Sequence, residues 1–155
     1  MPDLAEELAA IVGPRHVRTS RAERLTYAAD GLPTHRTVPG IVVLPGTREE
    51  LIAVVRLLAT RNVPFVPRGA GTGLSGGALA SEDAVLLVLT RLNRIVSVEP
   101  MNRRAIVEPG VVNLKLSAAV LPMGLHYAPD PSSQSACTAR SRALVSSTKT
   151  SRSLL

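Results

Sequence analysis

The sequence is poor in the residues that build disulfide frameworks and base-stacking surfaces. Its 155 residues include one cysteine, Cys137, two tyrosines, one phenylalanine and no tryptophan. A single cysteine excludes an internal disulfide and cannot form a cysteine-rich metal site by itself. So few rings disfavour the binding of single-stranded nucleic acid through stacked aromatic side chains.

The sequence also lacks a long apolar run and a targeting segment. No stretch reaches the roughly 18 apolar residues that a membrane span requires. Asp3, Glu6 and Glu7 stand where a signal peptide would carry basic residues. We therefore expect a cytoplasmic chain without a membrane span. The three histidines, His16, His35 and His126, are scattered, and no metal site is expected.

Acidic residues are missing from one end of the chain. Residues 1–138 hold 14 Lys and Arg against 12 Asp and Glu, whereas residues 139–155 hold basic residues and no acid. Most of the net charge of +6 therefore lies in this Ser/Thr-rich end, which disfavours nucleic-acid binding by the rest of the chain. The sequence predicts one domain over residues 1–138 and a disordered basic tail over residues 139–155.

A strand, a helix and a second strand follow one another between residues 41 and 67. Residues 41–44 are an apolar run, Thr47-x-x-Glu50 is a capping box, and the helical period continues to about Asn62. We expect residues 41–44 and 65–67 to lie side by side in one parallel sheet. The helix between them would pack on that sheet through Leu51, Val54, Val55 and Leu58.

The flanking segments complete the predicted fold. Residues 84–90, 95–100 and 104–110 are short strand-like runs joined by brief polar turns, which favours antiparallel pairing. Helices are predicted at about residues 113–121, from Ser20, and after Asp3, whose carboxylate would cap the first helix. A parallel βαβ piece joined to an antiparallel piece is an α+β architecture.

Five glycines occur within the stretch "VPRGAGTGLSGGA", residues 66–78, directly after a predicted strand. Glycines let backbone N–H groups converge on an anion without a Cβ in the way, so the stretch is suited to a phosphate. The alternative is a flexible surface turn. We expect the amides of residues 69–73 to point into a shared concavity that fits a pyrophosphate.

Two common phosphate motifs do not explain these glycines. Gly71-x-Gly73-x-x-Gly76 matches the dinucleotide fingerprint, but no long helix and no acidic residue about 20 positions later follow it. The P-loop pattern fails because no Lys and Ser/Thr pair follows the glycines.

Four segments in this order resemble a known family: residues 45–69, residues 66–78, "VEPGV" at 107–111 and "APDPSS" at 128–133. They are similar to the PCMH-type FAD-binding domain of the vanillyl-alcohol oxidase/PCMH flavoprotein superfamily, above all to its branch of glycolate oxidases and D-lactate dehydrogenases. The resemblance covers about residues 3–138.

The resemblance implies that FAD is bound by three groups of residues. The loop around the pyrophosphate would be Arg68, Gly69, Ala70, Gly71, Thr72, Gly73, Leu74 and Ser75. Pro109, Gly110 and Val111 would lie near the adenosine half, and Asp130, Pro131, Ser133 and Thr138 near the isoalloxazine and ribityl side. Some members attach the flavin through a histidine in the first loop. This chain has Thr72 at about that position, so non-covalent FAD is expected.

The resemblance also implies an activity, and the chain differs from the family in its last residues. Members of this branch oxidise a 2-hydroxy acid, such as glycolate or D-lactate, by hydride transfer to flavin, some together with other oxidase subunits. Members continue after about Thr138 with further glycine-rich segments, where this chain reads "ARSRALVSSTKTSRSLL". The expectation is therefore an FAD-binding domain that is incomplete at its C-terminus. The alternative is an inactive fragment that acts at most as a weak nucleotide-binding module.

Overall fold

The chain divides into two compact units, residues 1–92 and residues 93–155. The computed structural model describes residues 2–32, 34–128, 133, 135–139 and 142–147. Each unit contains its own four-stranded sheet. The boundary between the units falls between the parallel and the antiparallel parts that the sequence predicts.

The first unit contains a mixed sheet with the strand order β1-β2-β4-β3. Its strands are β1 (Val17–Arg18), β2 (Ile41–Val43), β3 (Phe65–Arg68) and β4 (Val85–Val88). Both β2 and β3 pair in parallel with β4, and β1 pairs antiparallel with β2. Residues 41–44 and 65–67 thus share a parallel sheet as predicted, but they are not neighbours, because β4 lies between them.

Burial explains why β4 takes the central position. All four of its residues are buried. A parallel strand covered on both faces has a continuous apolar sequence, whereas a strand with one solvated face alternates apolar and polar residues. The antiparallel pairing predicted for residues 84–90 is therefore wrong, and their unbroken apolar run was the sign of a central parallel strand.

Two helices cover one face of this sheet. They are α1 (Pro2–Val12) and α3 (Arg48–Thr60), whose apolar residues form a core with Ile41, Val43, Val85 and Leu87. The N-cap of α3 is confirmed, since Glu50 N–H donates to Thr47 Oγ1 at 3.1 Å. The Glu50 carboxylate completes a variant of the capping box, because it accepts from the N–H of Gly46, the residue before the cap, at 2.6 Å. The predicted packing face of α3 is also confirmed.

The two N-terminal helices differ in how well they match their predicted caps. Asp3 is not the cap of α1, because the helix already begins at Pro2. The Asp3 carboxylate instead pairs with Arg61 at 3.2 Å. The second helix, α2 (Arg21–Leu25), does begin after Ser20, whose hydroxyl accepts from Glu23 N–H.

A membrane-spanning helix, which would need about 18 apolar residues in a row, is not found among the described residues.

On the other face of the first sheet, the described residues that pack against the strands belong to no helix. There Val42, Leu86 and Val88 pack with Ala80 and Ala84, and with the partly buried side chains of Tyr27, Leu44 and Val66. The covering residues come from the segments around Tyr27 and Ala80, which have no regular secondary structure. The glycine-rich stretch runs into the second of these segments, so it lies on the helix-free side.

The second unit is an antiparallel sheet with the order β5-β6-β8-β7. Its strands are β5 (Ile95–Glu99), β6 (Arg104–Val107), β7 (Leu125–Tyr127) and β8 (Arg142–Ser147). The antiparallel pairing of β5 with β6 confirms that part of the prediction. One helix, α4 (Asn113–Val120), buries Leu116 and Val120 in the core of this unit, and a 3-10 turn over Leu121–Met123 follows it. The fold class is α+β, as predicted.

The strand β8 lies inside the segment predicted to be a disordered tail. It pairs with β6 on one side and with β7 on the other, and Ala143 and Val145 are buried. The prediction of disorder is therefore wrong for residues 142–147, because Ala143 and Val145 bury apolar side chains while Leu144 between them is exposed. Residues 148–155 lie outside the described residues.

The role of β8 can be tested with two adjacent substitutions. Val145 is 2% exposed and Leu144 is 74% exposed. We expect Val145→Ala to lower the free energy of unfolding by roughly 1–3 kcal/mol, because it removes buried methyl groups. Leu144→Ala should change it by no more than about 0.5 kcal/mol. Chemical denaturation of both variants measures this difference, and equal small effects would mean that β8 contributes nothing to the core.

Candidate functional site

The glycine loop, residues 69–75, begins where β3 ends. Since β2, β3 and β4 are parallel, their carboxyl ends meet at one edge of the first sheet. In open parallel sheets ligands bind at this edge. Residues 69–84 contain no helix, so the dinucleotide fingerprint, which places pyrophosphate at a helix N-terminus, is not the mechanism here.

The backbone N–H groups of the glycine loop are unoccupied by protein acceptors. Within the part of the chain that the structure describes, none of the amides of residues 69–75 donates a hydrogen bond. Residues 73–75 are exposed. A run of free donors on bare backbone is the arrangement that binds phosphate oxygens.

Gly73 and Gly71 are glycines for different physical reasons. A Cβ on Gly73 would have no heavy atom within 4 Å, and the residue does not have a positive φ. Packing therefore does not require glycine there, whereas the approach of a ligand would. Gly71 has a φ of 73° and faces the guanidinium of Arg68, whose Nε would lie 2.6 Å from an added Cβ. Glycine at position 71 is required by the fold itself.

The side chain of Arg68 is buried beneath the loop. It is 8% exposed and donates to the backbone oxygens of Ala29 at 2.8 Å and of Tyr27 and Ala78 at 3.3 Å each. Its Cζ lies 6.0 Å from the centroid of the Tyr27 ring. Burial lowers the pKa of Arg68, and the charges of Asp30 and Tyr27 act in the opposite direction. The guanidinium nevertheless stays protonated near neutral pH.

A segment that sequence reasoning missed packs against the loop. A Cβ on Gly31 would lie 2.7 Å from Thr72 O and 2.8 Å from Gly73 O. The neighbouring Asp30 accepts from Leu32 N–H at 2.8 Å through Oδ1, while its buried Oδ2 has no hydrogen-bond partner. The Asp-Gly pair at 30–31 was the only available sign, and it indicates a turn rather than a binding site.

The second unit brings together two other groups of predicted cofactor residues. Val112 forms an antiparallel bridge with Thr138, and Ala139 N–H donates to Val111 O at 2.6 Å. The segment containing Pro109, Gly110 and Val111 therefore lies beside the one containing Thr138. Ser133 O accepts from the N–H groups of Ala136 and Cys137, at 2.8 and 2.7 Å. Asp130 and Pro131 lie outside the described residues.

Asn113 is a buried polar residue at the start of α4 that the sequence did not single out. It is 3% exposed, and no hydrogen-bond partner for its Oδ1 is found among the described residues. Its own N–H donates to Cys137 O at 3.0 Å, so it borders the same pair of segments. A buried acceptor left without a partner costs about 1–3 kcal/mol. From sequence alone, an asparagine at a helix start is normally interpreted as a cap. That interpretation gives no sign that its side-chain oxygen is buried without a partner.

A cleft of about 640 Å³ lies elsewhere in the first unit, and its chemistry differs from that of the loop. Gly40, Ile41 and Glu82 line it, so it opens near the amino ends of β2 and β4. Glu6, Glu82 and Arg24 also line the cleft, so residues of both charge signs border it. Among the described residues no group of three or more His, Cys, Asp and Glu side chains is placed to hold a metal ion.

Comparison with known proteins connects these features to one family. A family model described as "FAD binding domain" matches residues 39–143. Glycolate oxidase subunit GlcD of Escherichia coli strain K12 is 53% identical over 116 residues, which cover 75% of this chain and 23% of that protein. D-2-hydroxyglutarate dehydrogenase of Stutzerimonas stutzeri strain A1501 is 33% identical over 129 residues, which cover 83% of this chain and 28% of that protein. The chain thus spans about a quarter of the length of these curated relatives.

A solved structure shares the fold. The structure of p-cresol methylhydroxylase with bound substrate has a TM-score of 0.74 with this chain at 18% sequence identity. The similarity covers 88% of this chain and 28% of that one. At this level of identity the likeness establishes the fold alone, which agrees with the PCMH-type fold that the sequence segments predict.

Replacing Gly71 should destabilise the fold, whereas replacing Gly73 should not. Gly71→Ala should lower the free energy of unfolding by about 1–3 kcal/mol, because a positive φ is strained for alanine and the new Cβ displaces the Arg68 guanidinium. Gly73→Ala should stay within about 0.5 kcal/mol of the wild type. Thermal or chemical unfolding of the ligand-free chain distinguishes them. A large loss for Gly73→Ala would show that position 73 is a structural glycine as well.

Proposed function

We propose that this chain, which belongs to the FAD-binding domain family, is the cofactor-binding portion of an oxidoreductase that oxidises a 2-hydroxy acid. The observation that carries the proposal is the glycine loop, whose free amides lie at the carboxyl edge of a parallel sheet. A pyrophosphate needs donors of this kind, and Gly73 leaves open space in front of them.

The glycine loop of the first unit fits one part of FAD. We infer that the amides of residues 69–75 bind the pyrophosphate. In the second unit, taken by itself, the segment at 109–113 carries the buried Asn113 Oδ1, for which the described residues provide no hydrogen-bond partner and which would accept from an N–H group of a ligand. FAD supplies the oxidising group of the reaction when it is bound, and the residues of this chain hold and orient it.

Attachment of the cofactor is proposed to be non-covalent. The loop position at which some family members carry a histidine linked to the flavin is about Thr72 here. A threonine hydroxyl offers no imidazole nitrogen for such a bond. FAD should therefore be removed from the protein by denaturation and appear intact in the supernatant.

The names of the relatives support a proposal for the substrate class. Glycolate and D-2-hydroxyglutarate, which appear in the names of two relatives, are both 2-hydroxy acids. We propose a substrate of the glycolate or D-lactate type, a cytoplasmic location, and other oxidase subunits as partners, because one relative is itself named as part of an oxidase with several subunits.

A second candidate function is nucleotide binding without turnover. The burial of Arg68 favours it. Its guanidinium donates hydrogen bonds to three backbone oxygens. Residues 69–78, which follow it, contain no arginine or lysine. The loop can therefore hold a phosphate through its amides, but it has no free cation with which to hold the carboxylate of a substrate.

The proposed binding of FAD can be tested at Gly73. Gly73→Val should weaken FAD binding about tenfold or more, the equivalent of one lost hydrogen bond to a charged group, because a branched side chain would stand where the phosphate approaches. Gly77→Val is the matched control, since Gly77 is equally open and lies beyond the loop. Flavin fluorescence titration gives both dissociation constants. Equal affinity in both variants would mean that the loop is only a turn.

Turnover by the chain alone tests whether it contains a complete catalytic site. We expect the 155-residue chain with added FAD to reduce dichlorophenolindophenol no faster with glycolate or D-lactate than without substrate. A substrate misplaced by about 1 Å can already lose on the order of 100-fold in rate, and the loop provides no group to hold it. Substrate-dependent dye reduction above the control would contradict this expectation and identify the chain as a complete enzyme.

A further inference from the structure

Arg68 occupies the last position of β3, on the side of the sheet that no helix covers. In the register of the sheet it pairs with Val88, and Val66 pairs with Leu86, so it continues the apolar row formed by these three residues. An arginine in such a row is unusual, because a charged side chain is rarely buried unless its donors are occupied. Its buried position therefore requires a specific explanation.

The hydrogen-bond acceptors of Arg68 among the described residues are all backbone oxygens, and they come from two separate segments. Tyr27 and Ala29 lie in the segment that packs against the loop, and Ala78 lies just beyond the loop. A guanidinium has five N–H donors and no acceptor. It can therefore fix backbone segments only through their carbonyl groups, and it leaves their N–H groups free.

Gly71 allows Arg68 to occupy this position. The guanidinium lies where a Cβ on residue 71 would be, so the loop passes directly over the charged group. Among the described residues no carboxylate forms an ion pair with Arg68 within 4.0 Å. The charge of Asp30 nevertheless acts on Arg68 and raises its pKa against the effect of burial. The buried guanidinium thus lies beneath the loop amides, which donate to no acceptor among the described residues.

We propose that Arg68 is the positioning residue of the glycine loop: by binding the carbonyl oxygens of Tyr27, Ala29 and Ala78 it fixes the loop in the conformation that presents its amides to a diphosphate. The proposal rests on the proposed binding of FAD as far as the ligand is concerned. Arg68 does not contact the phosphate. It acts through the backbone and through its buried charge.

A second arginine in the same unit provides a matched control. Arg91 donates to Leu44 O at 2.6 Å, and its Cζ would lie 2.6 Å from a Cβ on Gly46. It also approaches Glu50 at 3.9 Å. Arg91 thus covers a glycine near the end of β2 much as Arg68 does at the end of β3, but among the described residues it forms no hydrogen bond or ion pair with residues 69–75. Its side chain is 35% exposed and it makes one hydrogen bond where Arg68 makes three, so Arg91→Met controls for the loss of a guanidinium beside a glycine in the same unit.

The first measurement concerns the ligand-free chain. Arg68→Met and Arg91→Met are compared with the wild type by backbone nitrogen-15 relaxation. In Arg68→Met the order parameters of residues 69–75 should fall from those of an ordered backbone, about 0.85, to below about 0.6, while those of α3 stay unchanged. Arg91→Met should leave the loop as ordered as in the wild type. An ordered loop in Arg68→Met would overturn the proposal whether or not FAD binds.

The second measurement concerns the ligand, with ADP and adenosine as probes beside FAD. Arg68→Met should weaken the binding of FAD and ADP at least about tenfold and leave adenosine, which has no phosphate, unchanged. Arg91→Met should leave all three unchanged. A disordered loop together with unchanged FAD affinity would also overturn the proposal. If the wild type binds neither FAD nor ADP, the proposed function fails, and the relaxation data still decide whether Arg68 orders the loop.

Two further variants separate the contacts of Arg68 from its charge and guard against misfolding. Arg68→Lys keeps the charge but cannot donate to three carbonyl groups in a fixed fork. The loop should therefore remain disordered in it, and a fully ordered loop would show that the charge alone suffices and would overturn the positioning role. Should Arg68→Met fail to fold, Gly71→Ala serves instead, because its Cβ displaces the guanidinium and should disorder the same residues.

Discussion

The first unit depends on the burial of β4 from both sides. Val85 and Leu87 face the helices, and Leu86 and Val88 face the opposite side. Parallel strands also require a long crossover between the end of one and the start of the next. The crossover from β3 to β4 is residues 69–84, and it contains no helix. It must therefore both return the chain to the start of β4 and supply apolar cover, which Ala80 and Ala84 provide.

This requirement explains the position and the composition of the glycine loop. A helical crossover would satisfy its own amides through internal hydrogen bonds. An irregular crossover leaves amides free, and it needs another group to hold its shape. We propose that Arg68 is this group. Its N–H groups donate to carbonyl oxygens of the crossover and of the segment beside it, so they leave the loop amides free. The same piece of chain thus completes the core at its far end and presents a binding surface at its near end.

The sequence predicted local features well and sheet order poorly. The capping box at Thr47, the packing face of α3 and the antiparallel pairing of β5 with β6 are all encoded by residues close together in the chain. The insertion of β4 between β2 and β3 depends on contacts between distant residues. The run at 84–90 carried the relevant sign, four consecutive buried apolar residues, but the short turns after it favoured antiparallel pairing. Likewise the polar residues of β8 concealed the alternation that buries Ala143 and Val145.

In the candidate site, too, the sequence predicted what depends on neighbouring residues and missed what depends on contacts formed by folding. Glycine spacing located the loop and predicted that its backbone is bare, because that property belongs to the residues themselves. It could not tell that Gly71 accommodates Arg68 while Gly73 faces open space, since the difference depends on a side chain that folds back under the loop. The orphaned oxygen of Asn113 was also beyond sequence reasoning, because it arises where α4 meets the segment at 133–138.

The strand order of the second sheet also determines the sequence of events during synthesis on the ribosome. Both β6 and β7 pair with β8, and neither pairs with the other. The first unit has all of its strands once residue 92 has emerged, so it can fold while the rest is still being made. The strand β7 has no partner in its sheet until residues 142–147 emerge. During that interval β6 and β7 expose unpaired edges, which makes this stage of synthesis the one most prone to association with other chains.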